Sequence, residues 1–204
     1  QDGNYFDSFI GVDFLYDKRN QRYQTTSGFF SNYSVNMPIL SDTNTLTNTY
    51  NYKVFKELYE NNVSTLSILF KGASSLSNDD IKLSERLYIP GKRLRGFETG
   101  KIGPKDGNDF IGGNYVSSIN ATTTIPTLLE NVQSVDVVIF ADAANIWGVD
   151  YDSSLDKNGI RSSVGIGIDW LTPVGPLTFS FAHPVTKEPT DIEQTFRFNI
   201  GTSF

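Results

Sequence analysis

Apolar and polar residues alternate along most of this chain, which is typical of β-strands whose two faces meet different surroundings. This alternation predicts nine strands, and no stretch has the periodicity of an amphipathic helix longer than a turn or two. We therefore predict an all-β, antiparallel fold. The predicted strands cover residues 6–17, 28–38, 43–57, 63–75, 114–125, 134–144, 162–170, 176–183 and 191–204.

The last predicted strand has the clearest pattern. Phe196, Phe198, Ile200 and Phe204 fall on one face, and smaller or polar residues, among them Gly201, fall on the other. A strand that ends on an aromatic residue is typical of a chain held at a membrane interface. The strands are also about as long as an oblique crossing of a bilayer requires. The pattern favours a transmembrane β-barrel of the outer membrane.

The strand count indicates which part of such a barrel this is. Barrels formed by a single bacterial chain have an even number of strands, because both termini start on the same side of the membrane. Nine is an odd number, so either one of the predicted strands is wrong or the chain is part of a larger barrel, and we favour the second explanation. We expect residues 1–204 to be the C-terminal part of a larger barrel.

Charge and composition exclude several functions. The chain has 17 Lys and Arg against 23 Asp and Glu, a net charge of −6, so a basic surface for nucleic acid is not expected. It has no cysteine and one histidine, so we predict no disulfide, no metal site, no cofactor and no catalytic residue. The abundant Phe and Tyr also fit a soluble, carbohydrate-binding β-sandwich, which stays open as an alternative.

The segment between residues 77 and 112 is too long for an idle connection, and such loops tend to be functional. It carries the first of several short motifs that occur in a fixed order. Together these motifs resemble the BamA family of outer-membrane assembly factors, and the resemblance covers nearly the whole chain. They are Leu94-Arg-Gly-Phe97, Gly112-Gly-Asn114, Phe140-Ala-Asp-Ala-Ala-Asn-Ile-Trp147 and Asn199-Ile-Gly201.

The resemblance implies a sixteen-stranded barrel whose long loop, residues 77–112 here, folds back into the lumen. Within the Leu94–Phe97 motif, Arg95 would dock on the inner wall, Gly96 would let the backbone turn, and Phe97 would pack against the wall. A guanidinium in a partly enclosed lumen needs a carboxylate partner, and Asp142 is the matching acid. The alternation independently places Asp142 on the polar face of its strand.

The chain departs from the family pattern at one position. Many members carry a second acid in the strand that follows Gly-Gly-Asn, and the corresponding residue here is Thr122. The docking of Arg95 could then rest on Asp142 alone, or also on Asp136 or Asp169. We leave these alternatives open at this stage.

The function that the resemblance implies is the folding and insertion of β-barrel proteins into the outer membrane through a lateral seam. One side of the seam would be the strand that ends at Phe204, with Gly201 weakening its closing end. Such a protein is not an enzyme. Its partners would be outer-membrane lipids, unfolded outer-membrane protein clients and accessory assembly lipoproteins, and no nucleic acid. A TamA-like or two-partner-secretion translocation barrel is the nearest alternative.

Overall fold

The structure is a computed structural model that describes residues 6–22, 24–42, 44–60, 62–77, 79–125, 134–156, 159–173 and 175–201. It contains strands and three short 3₁₀ helices. In chain order the strands are β1 (Phe9–Asp17), β2 (Gly28–Pro38), β3 (Thr45–Tyr59), β4 (Asn62–Ser75), β5 (Gly96–Phe97), β6 (Lys105–Asp106), β7 (Asp109–Phe110), β8 (Tyr115–Thr124), β9 (Val135–Trp147), β10 (Arg161–Thr172), β11 (Gly175–Thr186), β12 (Glu193–Gln194) and β13 (Phe196–Ile200).

Nine of these strands form one antiparallel sheet in the order β1-β2-β3-β4-β8-β9-β10-β11-β13. The nine strands pair in the order in which they follow along the chain, and the connection between β4 and β8 holds β5, β6 and β7. The prediction of nine antiparallel strands is confirmed. Strand β9 is longer than predicted because it continues to Trp147, pairing with β8 as far as Tyr115.

The two faces of the sheet differ as the alternation predicts. One face, which we call the outer face, presents large exposed apolar side chains such as Ile139, Ile166 and Phe181. Aromatic rings on this face meet across the last two strands: Phe179 and Phe198 have ring centroids 4.9 Å apart, and Phe181 and Phe196 have centroids 5.0 Å apart. An apolar face of this kind suits contact with lipid.

The opposite face, which we call the inner face, is covered by the β4–β8 loop. Among the described residues the hydrophobic core lies between this loop and strands β8 and β9, not between two sheets. Its loop side chains pack on small or branched residues of the two strands. The core consists of Ile89, Leu94, Phe97, Ile102, Val116, Ala144 and Ile146.

The prediction of one continuous strand from residue 191 to 204 is wrong in part. Strand β13 ends at Ile200, and Gly201 follows in a bend with φ of +105°. Before β13, the two residues of β12 leave the main sheet and pair with β5 of the loop. Phe204 lies outside the described residues.

Candidate functional site: the loop on the inner face

The β4–β8 loop is tied to the inner face at several points along its length. At its return to the sheet, Leu87 and Gly113 exchange two backbone hydrogen bonds of 2.8 and 3.0 Å. Farther along, Leu94 and Phe97 are each only 1 % exposed. The tetrapeptide singled out from the sequence, Leu94–Phe97, therefore lies at the most buried part of the loop.

Arg95 and Asp142 meet in a two-pronged ion pair. The Arg95 Nε donates to one carboxylate oxygen of Asp142 at 2.8 Å, and one terminal nitrogen donates to the other oxygen, also at 2.8 Å. The backbone N–H of Arg95 adds a third hydrogen bond of 3.1 Å. The Asp142 side chain is fully buried. A bidentate guanidinium–carboxylate pair fixes both distance and orientation, so it is a specific anchor as well as a charged one.

Two further side chains complete this anchor. The Asn120 amide donates to Asp142 at 2.9 Å and also to the backbone carbonyl of Arg93 at 2.8 Å. The Arg95 guanidinium lies over the ring of Phe140, with 3.3 Å between its carbon and the ring centroid. An aromatic face attracts a cation electrostatically, so Phe140 stabilises the charge on the side that Asp142 does not cover.

The structure selects one of the partners left open by the sequence. Asp136 and Asp169 face each other as register partners on β9 and β10, six residues along β9 from Asp142. That spacing corresponds to roughly 20 Å along a strand, beyond the reach of Arg95. Thr122 lies opposite Phe140 in the register. The polar residue of β8 at the anchor is instead Asn120, the register partner of Asp142.

Gly96 allows the loop to approach the wall. Its φ of +91° belongs to a backbone region that residues with a Cβ rarely adopt. A Cβ at this position would also lie 3.3 Å from the Cβ atoms of Ala182 and Ser163. The small side chains of β10 and β11 and the glycine of the loop together let the two backbones come close.

Arg93 is a contact residue that the sequence reasoning missed. Its guanidinium donates to Asn51 on β3 at 2.6 Å, to Asn120 on β8 at 3.3 Å, and to Ser67 on β4. Burial lowers the pKa of Arg93, an effect that the nearby charge of Asp142 partly opposes. The available signal was a second basic residue two positions before Arg95, because alternate residues of an extended segment share a face.

Two more ion pairs lie where the loop joins the sheet; one reaches the loop through the backbone of Gly103, and the other includes a loop residue. Arg161 at the start of β10 bonds Asp191 at 2.9 and 3.2 Å, and both side chains are fully buried. Asp191 also accepts a bond of 3.3 Å from the backbone N–H of Gly103 in the loop. Arg86 of the loop pairs with Asp150, which follows β9.

Asp150 accepts hydrogen bonds from several residues of this region. Burial alone would raise the pKa of its carboxyl group, but the N–H of Ile81, the amide of Asn114 and the guanidinium of Arg86 outweigh that effect. The pKa of Asp150 therefore lies below its usual value. The bonds from Ile81 and Asn114 measure 2.7 and 3.2 Å, so this carboxylate connects both ends of the loop to the sheet.

Comparison with known proteins identifies the family. A model described as the Omp85 superfamily domain matches residues 1–204, the whole chain. The chain belongs to the Omp85 superfamily. Among the described residues no helix is long and apolar enough to cross a membrane. The assignment to Omp85, together with the single nine-stranded sheet, replaces the β-sandwich alternative and places the chain in the outer membrane.

Several assembly factors resemble this Omp85 chain. The outer membrane protein assembly factor BamA of Neisseria meningitidis is 31 % identical over 154 residues, which are 61 % of this chain and 19 % of that protein. BamA of Nitratidesulfovibrio vulgaris is 28 % identical over 218 residues, covering 100 % of this chain and 26 % of the relative. The chain thus spans about a fifth to a quarter of the curated relatives it matches.

A solved structure supports the same fold. The crystal structure of BamA from Haemophilus ducreyi lacking POTRA domains 1–3 superposes with a TM-score of 0.86 at 25 % sequence identity. The match covers 93 % of this chain and 41 % of that one. The predicted BamA-like barrel portion is therefore confirmed as a fold. The roles predicted for Arg95, Asp142 and the last strand stay predictions.

Proposed function

We propose that this chain takes part in the folding and insertion of β-barrel proteins into the outer membrane, with β13 as one side of a lateral seam. The observation that carries the proposal is the short pairing of the last strand. Strand β13 has 5 residues, whereas its neighbour β11 has 12. A short ladder leaves few backbone hydrogen bonds to break when an edge opens.

The orientation of the peptide groups in β13 supports this proposal. Gly201 donates to Pro176 at 2.9 Å, and Thr195 accepts from Ala182 at 2.9 Å, so odd-numbered residues point toward β11. In an antiparallel strand the direction alternates. The peptide groups of Phe196, Phe198 and Ile200 therefore point to the other edge, where a client strand could add by β-augmentation.

In this mechanism the chain acts through backbone pairing and not as an enzyme. Its substrates are unfolded outer-membrane proteins, and the lipids of the outer membrane receive the product. Accessory assembly lipoproteins stay a prediction from the resemblance. The BamA relatives carry the name of assembly factors, which supports insertion over the two-partner-secretion alternative.

The test replaces one N–H on the open edge of β13. Phe198→Pro removes a donor that points away from β11, so the β11 ladder keeps its bonds. The matched control, Phe198→Ala, also loses the ring but keeps the donor. We expect Phe198→Pro to slow insertion of an unfolded barrel client by full-length protein in liposomes about tenfold more than Phe198→Ala. Equal rates for both variants would contradict the seam proposal.

A further inference from the structure

The last strand is attached to the loop as well as to the sheet. Its residue Arg197 points to the inner face and is 8 % exposed. Its two terminal nitrogens donate to backbone carbonyls of the loop, one to Gly91 and one to Phe97. Gly91 lies three residues before the Leu94–Phe97 tetrapeptide, and Phe97 is its last residue, so Arg197 binds both ends of the segment that carries Arg95.

The neighbouring residues position the Arg197 guanidinium. Gln194 accepts bonds of 3.3 and 2.8 Å from the Nε and one terminal nitrogen of Arg197. Gln194 also pairs with Gly96 through the β12–β5 ladder. A Cβ on Gly91 would collide with the guanidinium and also with the hydroxyl of Thr99. The glycine therefore leaves the space in which the loop carbonyl accepts its bond.

The acceptors of Arg197 differ from those of Arg95. Arg95 is neutralised by the Asp142 carboxylate, whereas the contacts described for Arg197 are neutral carbonyl and amide oxygens. A buried charge with only neutral acceptors is compensated less completely, so these bonds hold only while the acceptors stay in place. The carbonyls of Gly91 and Phe97 stay in place when the loop is docked.

We infer that Arg197 is a positioning residue that couples docking of the loop to the position of the last strand. Arg95 joins the loop to β9, and Arg197 joins the same loop segment to β13. Two strands, β10 and β11, lie between them in the sheet. When the loop is docked, β13 is held both by its ladder to β11 and by the hydrogen bonds of Arg197 to the loop. When the loop leaves the inner face, Arg197 loses its acceptors and β13 keeps only its short ladder to β11.

This coupling is reciprocal, because the free energy that links two sites acts equally in both directions. A residue that merely braces its own strand would change β13 alone. A coupling residue must also loosen the loop when it is altered, and loosening the loop must in turn release β13. The inference rests on the proposed function only in regarding β13 as one side of a seam.

The test uses two readouts in the full-length protein in lipid, without a client. This chain has no cysteine, so spin labels can be attached at introduced cysteines. The labelled positions are Ile139 on β9 and Ile200 at the end of β13, both exposed on the outer face. Their distance distribution reports the position of β13. Tryptic cleavage at Arg93 in the loop reports docking, since hydrogen bonds to Asn51, Asn120 and Ser67 hold this residue in the docked loop.

Arg197→Gln keeps an amide donor but cannot reach both carbonyls. We expect it to broaden the spin-label distribution and to speed loop cleavage about tenfold, the effect of losing hydrogen bonds to a buried charged group. Asn199→Ala, on the same strand and face, is the matched control and should leave loop cleavage unchanged. Gly91→Ala disturbs the contact from the loop side on a chain that keeps every charge. It is made in a Thr99→Ala background, which removes the other atom that the new Cβ would meet, and it should reproduce the effects of Arg197→Gln relative to that background.

Asp142→Asn completes the cycle from the other end. It should broaden the spin-label distribution in the parent protein and add little in the Arg197→Gln background, where the connection is already lost. Loop cleavage that stays at the parent rate in both Arg197→Gln and Gly91→Ala would overturn the inference. If Arg197→Gln and Gly91→Ala change the spin-label distribution and loop cleavage as expected but leave client insertion at the parent rate, the result would count against the proposed function and leave this inference intact.

Discussion

Strands β9 and β13 both hold the loop, but they are built in different ways. Strand β9 has 13 residues and is paired on both sides, with β8 and β10. Strand β13 has 5 residues, is paired with β11, and lies at one end of the described sheet. The loop binds β9 through a carboxylate and β13 through an arginine. The loop therefore has one contact on a long strand that is paired on both sides and another on a short strand that is paired with β11.

The charges follow the same division. On β9, the acid Asp142 accepts hydrogen bonds from Arg95 of the loop and from Asn120 of the next strand. On β13, the strand itself supplies the cation, and the loop supplies carbonyls. Removing the loop would therefore leave an unpaired acid on β9 and an unpaired base on β13. We expect β9 to keep its position, because it is paired on both sides, and β13 to be displaced more easily, because its ladder to β11 is short.

Exchanging the charges of the β9 anchor should have the largest effect. Arg95→Glu places two carboxylates together and should cost on the order of 3–5 kcal/mol of docking, because Asp142 is left buried without its cation. Adding Asp142→Arg should restore part of this loss. The rescue is incomplete because the Asn120 amide, now facing a guanidinium, has lost its acceptor. Tryptic cleavage of the loop and the resistance of the full-length protein to urea would measure both.

Asp136→Arg in the Arg95→Glu background is the control for this exchange, since Asp136 lies elsewhere on the same strand and face. It should give no rescue. Equal losses in the single and double variants of Arg95 and Asp142 would show that the two side chains do not act as a pair, and the distinction between the two strands would lose its main support.

Gly201→Ala sharpens the comparison at the end of β13. Gly201 adopts a φ of +105°, and a Cβ there would meet no atom within 4 Å, so the penalty comes from the backbone alone. We expect a loss of about 1 kcal/mol in the free energy of unfolding, or a shift of the chain into continued pairing with β11. Hydrogen exchange at the Gly201 N–H, which bonds Pro176, distinguishes the two.

The control is Gly175→Ala at the turn that precedes β11, where φ is +125° and a Cβ would again meet no atom. It should destabilise the protein to a similar degree, because the penalty again comes from the backbone alone. A Gly201→Ala variant with parent stability and parent exchange would show that the bend after β13 carries no strain.

Acid should loosen the attachment that follows β9, by a smaller amount. The pKa of Asp150 lies below its usual value in the folded protein, so its stabilising contribution is present above the unfolded pKa, about 3.9, and is lost as pH falls through the folded value. Tryptic cleavage cannot be run at such pH, so pepsin digestion of the loop between pH 5 and pH 2 is the measurement. Asp150→Asn should remove this pH dependence.

Because other carboxylates also titrate in this range, the comparison is between Asp150→Asn and the parent at each pH. Asp152→Asn provides the matched control: its pKa is also lowered, by hydrogen bonds from the hydroxyl and N–H of Ser154, but its contacts lie within its own turn. Pepsin curves that coincide for the parent and Asp150→Asn would contradict a role for this carboxylate in holding the loop.

The sequence allowed the sheet to be predicted almost completely, since alternation reports which face a side chain occupies. It placed Asp142 on the inner face and indicated Arg95 as its partner through the resemblance. It did not reveal Asn120 or Arg197, although both were on the polar face. Alternation identifies the face but carries no information on which loop backbone lies above it. The change of partner before β13 was missed for the same reason.

In water, the aromatic pairs between β11 and β13 would hold the two strands together through the hydrophobic effect. Phe179 stacks on Phe198 and Phe181 packs on Phe196, each pair on the outer face. In a bilayer, however, acyl chains replace a departing ring with surroundings that are equally apolar, so there is little hydrophobic penalty for separation. On this face, separation of β13 from β11 would be resisted mainly by van der Waals packing between the rings. The two faces of β13 would therefore resist the proposed opening differently: the rings on the lipid side would add little, and the hydrogen bonds of Arg197 on the inner side would supply the larger part.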